Sequence, residues 1–378
     1  MKASPRYLES VVRKDLGRKM VFLTGPRQSG KTTLAKGLLE SSGLQVKDRY
    51  LNWDATLDRE KILQERFPAP PGILVLDEIH KYTRWRQMVK GLFDKRGEDL
   101  RILVTGSARL DYYRHGGDSL QGRYHLHRLH PLSLAEVEGA SRGDLADLLV
   151  YGGFPEPFLL TSEKESRRWS REYRARLVTE DLQDLERVKD VALVQKLVLR
   201  LPDLVGSPLS VNGLREDLQV AHQTVARWLQ ILENLFMIFR VYPFGANRLR
   251  AVKKEAKHYH LDWTVVRDQG IRFENLVACH LLKWCHFQQD VNGRDLELRY
   301  FRDVDRREVD FVITDEGHPL QFIECKTSQR RPRQALRYLK ERFPGADALQ
   351  IDLNGREDSL TRDGIRLMPA ARYLRDLV

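Results

Sequence analysis

Residues 20–33 read Met-Val-Phe-Leu-Thr-Gly-Pro-Arg-Gln-Ser-Gly-Lys-Thr-Thr, an apolar run that opens into Gly25-x4-Gly30-Lys31-Thr32. That spacing is a phosphate-binding loop: glycines let backbone N–H groups close around phosphate oxygens, and the following helix turns its positive end toward them. Gly25, Pro26, Arg27, Gln28, Ser29, Gly30, Lys31, Thr32 and Thr33 form the expected cradle. Lys31 is placed to reach the β and γ oxygens, and Thr32 Oγ1 to ligate magnesium. About 45 residues on, Gly72-Ile73-Leu74-Val75-Leu76-Asp77-Glu78 is a continuous apolar strand ending in two acids. Asp77 is expected to hold the metal and Glu78 to orient and polarise an attacking water, the parts that phosphoryl transfer from a nucleoside triphosphate requires.

A third apolar run, Ile102-Leu103-Val104-Thr105, leads to Gly106-Ser107-Ala108-Arg109. Ser107, with Thr105 as the alternative, is expected to sense the γ-phosphate. Arg123 in Gln121-Gly122-Arg123 is the first candidate for an arginine that stabilises developing phosphoryl charge, Arg109 the second. An ordinary surface ion pair is the competing reading for either arginine.

A second set of reactive side chains lies near the C-terminus. Asp310 sits in the run Arg307-Glu308-Val309-Asp310-Phe311-Val312-Ile313, and Glu324-x-Lys326 ends the run Gln321-Phe322-Ile323-Glu324-Cys325-Lys326. This is the layout of a PD-(D/E)xK nuclease core, in which Asp310 and Glu324 bind magnesium and Lys326 supports the attacking water. Glu274, opening a helix upstream, completes the metal set. Glu308 shares a strand face with Asp310 and is a substitute ligand. Glu255-Ala256-Lys257 repeats the ExK spacing without an equivalent strand before it, so Glu324 is preferred. Cys279-His280 and Cys285-His286 lie in an apolar helical stretch without paired short spacing and read as packed helix rather than a metal site.

The runs Thr24-Gly25-Pro26-Arg27-Gln28-Ser29-Gly30-Lys31-Thr32-Thr33, Leu76-Asp77-Glu78-Ile79-His80-Lys81 and Thr105-Gly106-Ser107 resemble those of prokaryotic AAA+-type ATPases with a conserved C-terminal domain. So do Gly122-Arg123, Pro131-Leu132-Ser133-Leu134 and Tyr151-Gly152-Gly153-Phe154-Pro155-Glu156, so the resemblance covers nearly the whole chain. It implies a five-stranded parallel ATPase sheet, ATP with Mg2+, a homo-oligomeric ring formed through the ATPase domain and a restriction-endonuclease-like tail. It implies no particular substrate. His80 departs from the glutamine usual in that family.

The elements that must position these residues give an α/β fold. A P-loop AAA+ domain with a parallel sheet is expected over 1–150 and a helical lid or linker over 151–190. A winged helix over 191–262 and an α/β restriction-endonuclease-like domain over 263–378 follow. The winged helix is read from Leu209–Leu218 and Gln223–Leu232, two short amphipathic helices around a turn, with wing strands near 236–242 and 259–262. Gln223, Thr224 and Arg227 are expected to face a DNA groove; packing between domains is the alternative use of such a motif.

The chain has 378 residues, 64 Lys+Arg against 53 Asp+Glu and a formal charge of +11. The whole surplus falls in two windows, 240–257 (Arg240, Arg248, Arg250, Lys253, Lys254, Lys257) and 326–343 (Lys326, Arg330, Arg331, Arg333, Arg337, Lys340, Arg342). Localised charge of this kind suits phosphate backbones, so DNA is the expected partner, gripped by Arg248, Arg250, Lys253 and Lys254 and by Arg330, Arg331, Arg333 and Arg337. A solvated face is the other reading. No apolar run approaches the ~20 residues needed to span a bilayer. Three cysteines without a framework and no apolar leader fit a cytoplasmic protein. These features lead to the expectation of an ATP-hydrolysing, DNA-binding motor that remodels or processes branched or broken DNA, with a metal-dependent nuclease tail. A nucleotide-dependent switch that regulates a protein partner through an inactive nuclease-like docking domain is the alternative.

Overall fold

The computed structural model describes residues 5–96, 99–106, 120, 122–181, 190–245, 255–328 and 331–378. It divides into two units, Ser4–Pro131 and Leu132–Val378.

The first unit runs α1 (Glu9–Asp15), β1 (Met20–Thr24), α2 (Lys31–Ser41), α3 (Val46–Arg49), β2 (Tyr50–Asn52), α4 (Thr56–Leu63), β3 (Gly72–Asp77), α5 (Trp85–Arg96), β4 (Leu100–Gly106) and β5 (Tyr124–Arg128). Its five strands are ordered β2-β3-β4-β1-β5, and every neighbouring pair is parallel. The parallel five-stranded sheet agrees with the one the resemblance implies. Because crossover helices cover both faces of such a sheet, its strands read as unbroken apolar runs. Accordingly all five residues of β1 are buried, as is β3 from Ile73 to Asp77. Met20, Phe22, Leu74, Leu76, Ile102 and Val104 fill one side against Trp85 and Val89. Phe22 stacks on Tyr124 with ring centroids 4.3 Å apart. The register pairs Asp77 with Thr105 on β4 and with Asn52 on β2, so three strands end side by side.

The second unit begins with helices: α6 (Arg142–Tyr151), α7 (Pro155–Leu160), α8 (Glu163–Arg176), α9 (Val191–Arg200), α10 (Val211–Leu218) and α11 (His222–Asn234). Ser141 and Asp144 close a reciprocal capping box at the start of α6. Pro155 opens α7, where its missing N–H costs nothing. Then follow β6 (Ile238–Pro243), β7 (Lys257–His260), α12 (Gln269–Asn292), β8 (Leu296–Arg302), β9 (Glu308–Asp315), β10 (His318–Lys326), α13 (Gln334–Arg342), β11 (Asp347–Asp352), β12 (Ser359–Leu360), β13 (Ile365–Pro369) and α14 (Ala370–Leu374). Among the described residues the sheet has eight strands, ordered β12-β13-β11-β10-β9-β8-β6-β7. Period-2 alternation sends Phe311, Ile313 and Ile323 to the core that contains α12, while Val312 and Phe322 pack with Leu336 and Leu339 of α13.

The arrangement differs from the expected partition in one respect. The strands expected to form a wing, β6 and β7, pair with each other and then continue into the tail sheet, because β6 runs parallel to β8 through Tyr242↔Arg299 and Pro243↔Tyr300. The helix pair α10–α11 and the tail therefore share one unit. No described helix is long and apolar enough to cross a membrane.

The cysteine–histidine stretch of α12 is packed helix, as its spacing suggested. His280 Nε2 accepts the Leu134 N–H at 3.0 Å while Nδ1 lies 2.8 Å from Leu276 O. This imidazole is neutral, since burial lowers its pKa to about 4. One turn further on, Lys283 forms an ion pair with Glu136, both side chains being 2 % exposed, and donates to Ser133 Oγ at 2.8 Å. Removing one partner of such a pair strands a charge away from water. Lys283→Met should therefore cost about 3–5 kcal/mol in urea unfolding. Adding Glu136→Gln should recover part of the loss, and a single variant as stable as the parent would contradict this account.

Candidate functional site

The phosphate-binding loop joins β1 to α2. At Gly25, φ is 147° and a Cβ would sit 2.3 Å from the Leu129 carbonyl oxygen, so only glycine fits. Gly30 takes a left-handed conformation (φ 96°) and releases the chain into α2 at Lys31. The Lys31 side chain is buried, with Nζ 3.0 Å from Gly25 O and 2.7 Å from Pro26 O. Its ammonium thus folds back on the loop's own carbonyls.

Asp77 ends β3 and is 5 % exposed. Three hydroxyls converge on its carboxylate. Thr32 Oγ1 donates to Oδ2 at 3.3 Å, Tyr50 Oη donates to the same oxygen, and Thr105 Oγ1 donates to Oδ1. Burial, followed by the charge of Asp77, raises the Tyr50 phenol pKa, so the phenol stays a donor. Glu78 turns out of the strand in a left-handed conformation (φ 54°), its N–H bonded to Thr105 O at 2.9 Å. Burial raises its carboxyl pKa against the opposing pull of Lys31. His80 Nε2 lies 3.6 Å from Glu78 Oε2, but burial lowers the imidazole pKa to about 4 and it is neutral there. Thr32 and Asp77 present hard oxygens side by side at the end of the phosphate loop, a donor set that fits Mg2+ completed by water and phosphate.

The structure brings together Gly25 to Thr33, Asp77, Glu78 and Thr105, the alternative sensor. Ser107 and Arg109 lie outside the described residues. Arg123 is elsewhere: its carbonyl accepts from Met20 N at the beginning of β1, whereas the phosphate loop follows the other end of that strand. Its guanidinium chelates Asp94 at 2.9 and 3.3 Å. Two contacts escaped the sequence reading. Tyr50 reaches Asp77 from β2, and Arg6 donates to the carbonyls of Ser29 and His130. Neither residue lies in a motif; only the folded register brings them to the loop.

The tail acids also converge. Asp310 on β9 and Glu324 on β10 occupy adjacent antiparallel strands in the register Ile323↔Phe311. Asp310 Oδ2 accepts the Cys325 N–H at 2.8 Å. Glu324, fully buried, pairs with Lys326 and with Arg333 Nε at 3.0 Å, while its Oε2 has no hydrogen-bond partner among the described residues. Glu274 near the start of α12 accepts from Tyr259 Oη at 2.7 Å. Burial and the charge of Asp310 push both Glu274 and Glu324 up to about 7, opposed by their lysine neighbours.

Lys257, set aside in sequence as half of a chance ExK, is 1 % exposed and places Nζ 2.7 Å from Glu308 Oε1 and 3.6 Å from Glu274 Oε1. Burial alone would lower its pKa, but Glu274, Asp310 and Glu308 raise it, so it is an ammonium. The magnesium set expected at Glu274, Asp310 and Glu324 therefore does not fit as it stands. Protein cations face Glu274 and Glu324, a backbone N–H holds Asp310, and among the described residues no three His, Cys, Asp or Glu side chains make a metal-holding group.

The basic windows need similar revision. Lys257 is internal, and Arg240 donates to Glu233 and, at 3.1 Å, to Gln230. Neither adds to an exposed basic face, because the register of β6 and β7 turns both toward acids. Arg248, Arg250, Lys253, Lys254 and Arg330 lie outside the described residues. Arg333 is committed to Glu324 and Arg337 to Asp363 at 3.1 Å, whereas Arg331 is exposed and forms no ion pair among the described residues. A basic concavity that the windows missed is lined by Arg142, Arg356, Arg372 and Arg375, with a cavity volume of about 390 Å³. Its arginines are too far apart in sequence to register as a charge run.

Residues 17–138 match the AAA domain family, and residues 142–269 and 269–373 match two domains of unknown function, DUF8612 and DUF4143. An uncharacterized protein of Mycobacterium tuberculosis is 29% identical over 322 residues, 82% of this chain and 70% of the relative. One from Haemophilus influenzae is 24% identical over 326 residues, 77% of this chain and 78% of the relative. Among solved structures, a variant of Thermotoga maritima RuvB aligns over 62% of this chain and 88% of its own at 15% identity, with TM-score 0.34. Drosophila ORC bound to DNA aligns over 66% and 90% at 14% identity, with TM-score 0.26. Scores this low carry neither fold nor function across. The first unit is thus an AAA-type P-loop domain on the strength of its family match and its loop.

Tyr50 is a donor behind the expected metal ligand, and loss of such a partner typically weakens metal affinity 10–100-fold. Tyr50→Phe should raise the Mg2+ concentration needed for half-maximal nucleotide binding by about tenfold while leaving metal-free binding unchanged. An equal loss with and without Mg2+ would place its role elsewhere.

Proposed function

We propose that this chain is an ATP-hydrolysing AAA-type motor that works on DNA, with Leu132–Val378 as the part that holds the nucleic acid. The observation that carries the ATPase reading is the convergence of Thr32, Asp77 and Thr105 beside Lys31 and Glu78 at the ends of adjacent strands. In this reading Mg2+ neutralises phosphate charge and is held by Thr32 and Asp77. Lys31 exchanges the carbonyls of Gly25 and Pro26 for phosphate oxygens, keeping its donors satisfied in both states. Glu78, whose raised pKa makes it a stronger base than an exposed glutamate, accepts the proton of the attacking water. Tyr50 and Thr105 keep Asp77 in one rotamer. Arg123 is remote from its own phosphate loop, so it acts only on a neighbour's nucleotide in a homo-oligomeric ring.

The DNA reading is supported by the basic residues of the two windows other than the inward-turned Arg240 and Lys257, and by the exposed residues Gln223 and Arg227 on α11. The arginine-lined concavity adds a place for phosphate. In the full motor Arg248, Arg250, Lys253, Lys254, Arg330 and Arg331 contact the backbone, and Arg333 and Arg337 join them by exchanging Glu324 and Asp363 for phosphate. Cleavage is a finer step that this reading does not require, because Lys257 holds the acids that a metal would need. The same lysine favours a second reading, a nucleotide-dependent switch that docks a protein partner through an inactive nuclease-like domain.

DNA should stimulate ATP turnover, and Lys31→Ala or Glu78→Gln should lower that turnover at least about 100-fold. Removing Arg248, Arg250, Lys253 and Lys254 should flatten the salt dependence of duplex binding by about 0.9 log units per log unit of salt for each charge. Turnover indifferent to single-stranded, duplex and branched DNA would favour the switch.

A further inference from the structure

The tail combines four clustered acids with a buried lysine that no nuclease-like layout calls for. Each of these acids already has one oxygen held within the protein. Glu274 Oε1 accepts from Tyr259 Oη and faces Lys257, Glu308 Oε1 lies 2.7 Å from Lys257 Nζ, and Asp310 Oδ2 takes a backbone N–H. Glu324 Oε1 is shared by Lys326 and Arg333. Among the described residues the buried Glu324 Oε2 has no hydrogen-bond partner, and a divalent ion bridging these acids would have to displace Lys257 or Lys326 from the oxygens beside it.

Lys257 is held in place from both sides. Its strand pairs with β6 at Val241 and forms a bridge to Pro208 on the other edge, and Leu209 N donates to Ala256 O at 2.8 Å. Its ammonium also lies 5.3 Å from the centre of the Tyr300 ring, which adds a cation–π contact. Backbone pairing fixes where this side chain starts, and burial with the Glu308 ion pair keeps the ammonium inside. The buried ammonium repels a divalent ion brought to the same oxygens, so the two compete for Glu274 and Glu308.

We infer that Lys257 is the resident cation of the tail site, standing where a divalent metal would bind and closing Glu274, Glu308, Asp310 and Glu324 to Mg2+ and Mn2+. The tail of the native chain is then a metal-free, non-cleaving module, and one substitution separates it from a metal site. The inference rests on the tail geometry and is independent of the ATPase reading.

The test is Mn2+ binding to the full chain without nucleotide, followed by electron paramagnetic resonance and by thermal shift. The native protein should show no Mn2+ binding that Asp310→Asn removes. Lys257→Met should gain a site, binding Mn2+ at least about tenfold more tightly than the native chain, and adding Asp310→Asn should abolish it. Lys257→Arg, which keeps the charge, should gain nothing. Native binding that Asp310→Asn eliminates would overturn the inference. So would a folded Lys257→Met variant with no more Mn2+ than the parent. If Lys257→Met does not fold, the comparison of the native chain with Asp310→Asn still decides. Loss of ATP turnover in Lys31→Ala bears on the other unit alone, so the two readings fail separately.

Discussion

A carboxylate taken out of water must be compensated, and the kind of compensation decides what it can do afterwards. Asp77 is compensated by hydroxyls from Thr32, Tyr50 and Thr105. Neutral donors fix its rotamer and lower its energy but leave the negative charge for a metal. The tail acids are compensated by Lys257, Lys326 and Arg333. There the charge is already spent within the protein. Two constellations that look alike as sequence patterns, acids at strand ends near a lysine, therefore have opposite appetites for a divalent ion.

Sheet geometry imposes each outcome. In the first unit, parallel strands end together, so the register Asp77↔Thr105 sets a hydroxyl beside the acid while β1 delivers the phosphate loop next door. Ligands gather at such carboxyl ends because helix N-termini and strand-end side chains point the same way. In the second unit, antiparallel β9 and β10 align Asp310 with Glu324, but β7, at the edge of the same sheet, brings Lys257 against Glu308 and Glu274. Lys257 has to be charged there, because Glu274, Glu308 and Asp310 buried without a cation would repel one another.

What the chain discloses as text follows from this. The phosphate loop, the Asp77-Glu78 strand end and the parallel core are legible because they depend on local spacing and on period. So were the α10–α11 pair and the β9–β10 acids. The continuity of β6 with the tail sheet was not, since nothing in Phe236 to Tyr242 specifies β8 as a partner. Tyr50, Arg6 and Lys257 were illegible for the same reason. Each acts on a group at least 17 residues away through a register that only folding creates. Lys257 is the sharpest instance: its ExK spacing was a coincidence, yet its charge governs the site. Net charge misled in a related way, because a basic window counts Arg240 and Lys257 as surface when both are turned inward.

The contrast between the two kinds of compensation is the centre of this account, and counting Mn2+ on the full chain with a non-hydrolysable ATP analogue tests it most directly. One bound Mn2+ per chain is expected, lost in Asp77→Asn and retained in Asp310→Asn. A second ion, or a single ion that Asp310→Asn removes, would contradict it.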